Sequence, residues 1–174
     1  MLRYAVRANG AGWDRIEVID AGDPDEMSRA FRAGQGDYVH LQSPGAHALE
    51  REGVGYVVRS VGASMPEVAF SSLCCARAFL ETEACREFIG AFREAREWVR
   101  SAPTESAAAR IAGFFPGVSP DAIAMAIEAY QAVGCWGGDI AIPRELYEQA
   151  LTVFETGGLI AARHPYEEVC AAPL

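Results

Sequence analysis

The sequence predicts an α/β fold: one βαβαβ lobe followed by a mainly helical C-terminal region. Between Ile16 and Val61, short apolar runs alternate with capped, helically spaced segments. After Met65 the runs stop, and apolar residues recur at helical spacing almost to the end. The chain has 174 residues, 51% hydrophobic and 22% charged, a globular composition long enough to bury a core without disulfide or metal staples.

Leu2 to Ala8 reads as a helix that packs on one face of the sheet. Ile16-Glu17-Val18-Ile19 is the first strand candidate. Asp23 caps the next helix, Pro24 suits its first turn, and Glu26 stands three residues after the cap. Met27, Ala30 and Phe31 give that helix an apolar stripe, and Gly34 ends it. Tyr38-Val39-His40-Leu41 is the second strand candidate, and Pro44 opens a short helix that stops at Gly53. Val54 to Val61 is the third, with Tyr56, Val57 and Val58 in a near-continuous apolar run. Strand, helix, strand, helix, strand implies a parallel sheet with right-handed crossovers.

Pro66-Glu67-Val68-Ala69-Phe70 reads as an extended connector. A long helix follows over Thr82 to Arg100, with Cys85, Phe88, Ile89, Phe92, Ala95 and Val99 at helical spacing. Pro103 interrupts it, and Glu105 to Ala112 forms a short Ala-rich helix. Ser119 caps and Pro120 opens the next helix, with Ile123, Ile127 and Tyr130 on one side. Pro143 opens another, with Leu146, Tyr147, Ala150, Leu151 and Phe154 inside, and Gly157-Gly158 ends it.

Composition excludes several functions. All 15 basic residues are arginine, so no lysine is present to form a Schiff base, act as a general base or serve a Walker-type phosphate loop. The formal net charge of −9 argues against nucleic acid and anionic membrane surfaces as partners. No run of 18 apolar residues exists, and Met1 to Arg7 does not read as a secretory signal. The five cysteines, Cys74, Cys75, Cys85, Cys135 and Cys170, are odd in number and irregular in spacing, and read as reduced, buried structural thiols.

Few residues suggest chemistry. Gly10-Ala11-Gly12 follows a helix and precedes a strand, the wrong context for a dinucleotide loop. His40, His47 and His164 lack metal-ligand spacing, so no metal or other cofactor is expected. Ser43 is not in a nucleophile elbow, and Pro44 removes a backbone N–H that an oxyanion hole would use. Trp98, Trp136, Phe114 and Phe115 read as core or packing groups. In an open α/β sheet, ligands lie beyond the carboxyl ends of the strands, near helix N-termini. Those ends are Ala21-Gly22-Asp23, Gln42-Ser43-Pro44-Gly45 and Ser60-Val61-Gly62, where free N–H groups favour a small polar or anionic ligand. Ser43 reads equally as a helix cap, and the two roles can coexist.

The run from Gly22-Asp23-Pro24-Asp25-Glu26-Met27 through Phe31, Gly34 and Asp37 to Tyr38 resembles a "GDP-x-x-M-x-x-A-hydrophobic-x-x-G-x-x-D" stretch. That stretch belongs to the periplasmic solute-binding proteins of ABC importers that serve nitrate, sulfonate, taurine and thiamine-pyrimidine-precursor uptake. Ser43-Pro44 with Leu49-Glu50 and Gly53 is similar to the family's "E-P-x-x-x-x-L-E-x-x-G". Glu97, Trp98, Val99 and Pro103 resemble its "E-W-hydrophobic-x-x-x-P", and Gly157 to Val169 its last turns.

The resemblance implies a type 2 periplasmic-binding-protein-like fold, two α/β lobes closing on a solute. Residues 1–64 correspond to the second lobe, 65–72 to the hinge crossing and 73–174 to the helical C-terminal part of the first lobe, whose N-terminal half is absent. It further implies a solute-binding component, or truncated remnant, of an ABC-type import system, without catalysis. Ligand contacts fall on Gly22, Asp23, Gln42, Ser43 and, near the hinge, Ser64 and Met65. The implied partners are a small polar or anionic solute, an ABC transporter permease, and a second copy of the chain through helices left uncovered. The implied location is periplasmic, or cytoplasmic if the frame is complete without an export signal. One rival is an oligomeric remnant that binds nothing small. Another is an enzyme like the thiamine-pyrimidine synthases, for which Cys74-Cys75 is an echo and the missing lysine an obstacle.

Overall fold

The computed structural model describes residues 1–171. Among the described residues, eight α-helices run in chain order: α1 (Leu2–Ala8), α2 (Pro24–Arg32), α3 (Gly45–Arg51), α4 (Glu83–Ser101), α5 (Thr104–Ile111), α6 (Pro120–Ala132), α7 (Arg144–Thr156) and α8 (Tyr166–Val169). The chain divides into two units, each built from separated segments. One contains Met1–Ala11, Val61–Arg100 and the chain from Trp136 onward; the other contains Gly12–Ser60 and Ser101–Cys135.

The helix signals are met by observed caps. Asp23 accepts from the Glu26 backbone N–H at 2.8 Å, and the Glu26 carboxylate accepts from the Asp23 N–H at 3.0 Å, a complete capping box with Pro24 at the first helical position. The Ser119 hydroxyl accepts from Ala122 N–H at 3.2 Å, and Pro120 opens α6.

The second unit is organised by α6. Ala122, Ile123, Ala126 and Ile127 are buried along it, and Ala107 and Ala108 are buried on α5. The alanines let the two backbones approach closely, and Ile123 is the largest fully buried side chain. α6 also packs on α3, where His47 and Leu49 are buried and Arg51 meets Asp121 at 2.8 Å. α2 joins α3 through the two-pronged pair of Arg32 with Glu52, at 2.7 and 2.8 Å.

In the first unit, α7 buries Tyr147, Ala150, Leu151 and Val153. The Tyr147 hydroxyl donates to the His164 carbonyl, and the Tyr166 ring stands edge-on to Tyr147 with centroids 5.6 Å apart. Arg144 lies over the Tyr166 ring and pairs with Glu167. Ala69 N–H donates to the Leu146 carbonyl, tying the connector to α7. α4 is held to the loop between α6 and α7 by Arg96, whose guanidinium donates to the Gly137 and Asp139 carbonyls.

The α/β expectation is overturned. No strand occurs among the described residues, so the βαβαβ lobe and its sheet are absent. The three strand candidates are irregular, and most of their apolar side chains face water: Tyr38 is 81% exposed and Tyr56 87%, with Ile16, Val18, Ile19 and Val58 also exposed, while Val39 and Leu41 are half-buried. Val57 N–H donates to the Glu50 carboxylate at 3.0 Å, a side-chain partner in place of a ladder. The physical reason is that β-propensity reports how well a side chain suits a pleated, half-buried surface, and that surface must come from neighbouring strands. α1, expected on the sheet, buries Ala5 instead.

Candidate functional site: the Ser43–His47 corner

α3 begins at Gly45, whose N–H donates to the Gln42 carbonyl at 3.1 Å. Before it comes the Ser43–Pro44 peptide bond, which is cis. His47, in the first turn of α3, meets Ser43 from the preceding segment, with Oγ and Nδ1 3.1 Å apart. His47 is 7% exposed and is the buried polar side chain of the described core. Ser43 is half-buried and Gln42 exposed, so the pair opens to solvent on the serine side. With the ring proton on Nε2, the Ser43 hydroxyl donates to Nδ1; with it on Nδ1, the ring donates to Oγ and the hydroxyl hydrogen is left for another acceptor. The pair can therefore present either a donor or an acceptor to a small molecule, and Gln42 offers both.

The remaining sequence-predicted site residues are engaged in local structure. Gly22 has φ +98°, and a Cβ there would lie 2.1 Å from the Glu26 carboxylate, so the glycine admits the capping box. Its N–H donates to the Asp20 carboxylate at 3.2 Å, while Asp23 is the cap itself. Ser64 N–H donates to the Val61 carbonyl, and its own carbonyl accepts from Asn9 at 3.3 Å. Met65 N–H donates to the Gly62 carbonyl at 3.3 Å. Gly22, Asp23, Gln42 and Ser43 belong to one unit, Ser64 and Met65 to the other.

The Ser43–His47 contact was not anticipated, although its signal is in the sequence: two polar residues four apart across a helix start. Several packing expectations fail. Cys85 is buried, but Cys74, Cys75 and Cys135 are exposed. Trp98 and Phe114 are exposed too. Among the described residues, no group of three or more His, Cys, Asp or Glu side chains could hold a metal ion. No helix of the described residues is long and apolar enough to cross a membrane.

Comparison with known proteins gives one informative match. The chain is 26% identical over 156 residues to a Bacillus subtilis (strain 168) protein named "Putative binding protein YtlA". The match covers 88% of this chain and 47% of that protein, so the chain spans about half the length of the curated relative. No family model matches the sequence. No solved structure matches it. The resemblance to nitrate, sulfonate, taurine and thiamine-precursor binding proteins is thereby overturned: no such family is matched, and the sheet that defines their lobes is missing from the described residues.

Proposed function

We propose that the chain is a binding protein, without catalysis, that takes a small polar or anionic molecule at the Ser43–His47 corner. The observation that carries this reading is the match to a protein named for binding, over 88% of the chain. The corner supports it: a half-open hydroxyl backed by a buried imidazole, with the exposed Gln42 amide beside it. Pro44 removes the N–H that would best stabilise an oxyanion next to Ser43, which favours holding a ligand over acylating the serine. The reading rests on Gln42 and Ser43, because the polar groups of Gly22, Asp23, Ser64 and Met65 already serve caps and turns.

In its fuller form, the chain passes its solute to the permease of an ABC-type importer. The relative's name speaks of binding and says nothing of a permease, so the binding assay comes first. The assay is thermal unfolding against a panel of phosphate, sulfate, acetate and methanesulfonate. A ligand at a hundred times its Kd adds about 2.7 kcal/mol and raises Tm by several degrees. A panel that leaves Tm unmoved contradicts the proposal.

A further inference from the structure

α4 is the longest helix, yet Cys85 is its one buried residue. Its exposed apolar residues are Ala84, Phe88, Ala91, Ala95 and Trp98. Their spacing alternates four and three, the repeat that keeps a seam on one side of a helix for packing against another helix. Phe88 is 49% exposed and Trp98 41%, so both large members of the seam stand well into water. On one side the seam continues into the inner face at Phe92 and Val99. On the other side it is edged by Glu87 and Glu94, for which no ion pair occurs among the described residues. The four cations of the helix point elsewhere: Arg86 to the Glu81 carbonyl, Arg96 to loop carbonyls, Arg93 toward Asp139 and Arg100 to Glu97.

We infer that the α4 seam is a docking surface for an amphipathic helix of a partner protein, with an apolar stripe to meet Phe88 and Trp98 and Lys or Arg residues to meet Glu87 and Glu94. Charge selects this occupant over a second copy. An antiparallel pair of α4 helices brings the Glu87–Glu94 edges together, and a parallel pair lays each carboxylate edge on apolar residues of the other. A basic-edged helix satisfies the carboxylates and covers the aromatics at once.

The probes are two labelled peptides of about three heptads, with Leu at the seam positions and either Lys or Glu along the edges. Fluorescence anisotropy measures their binding to the intact chain, and sedimentation equilibrium measures self-association. The basic peptide is expected to bind at least about tenfold tighter than the acidic one, with affinity falling as salt rises. Phe88→Asp should weaken it by more than about tenfold. Glu87→Lys with Glu94→Lys should reverse the preference between peptides, and circular dichroism checks that each variant keeps its helix content. Equal binding of both peptides, binding of neither, or an unchanged affinity in the double charge reversal overturns the inference. So does a homodimer of the unmodified chain that Phe88→Asp dissolves, since a second copy then covers the seam.

Discussion

Replacing Ser43 with Ala takes the partner from a buried imidazole nitrogen. His47 is 7% exposed, and its Nδ1 lies 3.1 Å from Oγ. Leaving a buried polar atom unpaired costs about 1–3 kcal/mol. Because Ser43 is half-buried and water can reach the vacated place, the lower half of that range applies, about 1–2 kcal/mol. His47→Leu keeps similar volume and removes the polar atoms instead; the Ser43 hydroxyl then turns to water, and the cost is below about 1 kcal/mol. In the double variant the serine has no imidazole to lose, so Ser43→Ala adds almost nothing. The expected coupling in a double-mutant cycle is about 1 kcal/mol, read from urea unfolding followed by circular dichroism with a common m-value. A coupling below about 0.3 kcal/mol would refute the pairing, and with it the pre-set hydroxyl on which the binding proposal stands.

Three further outcomes follow from the packing and the caps. Ile123→Ala empties a fully buried site on α6, and the lost transfer energy plus the cavity should cost about 3 kcal/mol in the same urea assay. Gly22→Ala puts a Cβ 2.1 Å from the Glu26 carboxylate at φ +98°, so the capping box must break; a loss of about 1–2 kcal/mol is expected, with Glu26→Ala in the same background adding little. The hydrogen bonds from Arg32 hold the Glu52 carboxyl below its ordinary value near 4.5. A depressed carboxyl pKa stabilises the folded state above the unfolded value, and that contribution is lost as pH falls through the folded value. Both groups are largely exposed, so the screened contribution is about 0.5 kcal/mol, and Glu52→Gln should flatten the stability profile below pH ~4.5 by that amount.

The helices were legible because their signals are local. Asp23, Pro24 and Glu26 announce a capping box, and Ser119 with Pro120 announces the start of α6; both satisfy backbone donors within one turn. The strands were misread because a strand's partner is not local. Ile16-Glu17-Val18-Ile19 and Tyr38-Val39-His40-Leu41 have the residue types that suit a pleated surface, and nothing within those runs specifies whether a neighbour exists. The same limit applies to α4. Helical spacing of Cys85, Phe88, Ile89, Phe92, Ala95 and Val99 gave the helix, but the structure buries Cys85 and leaves Phe88 and Ala95 on an outer seam. At the candidate site, Ser43 was singled out from its place before a helix. Its partner His47 needed the exact helix start, because a shift of one residue turns the imidazole by about 100° around the axis.

Calorimetric titration of the intact chain and of Ser43→Ala, with whichever panel compound raises Tm most, tests the binding account most directly. The account predicts saturable binding to the unmodified protein, affinity at least about tenfold weaker in Ser43→Ala, and the compound recovered chemically unchanged. Equal affinity in the two proteins would contradict it, and so would conversion of the compound during the titration.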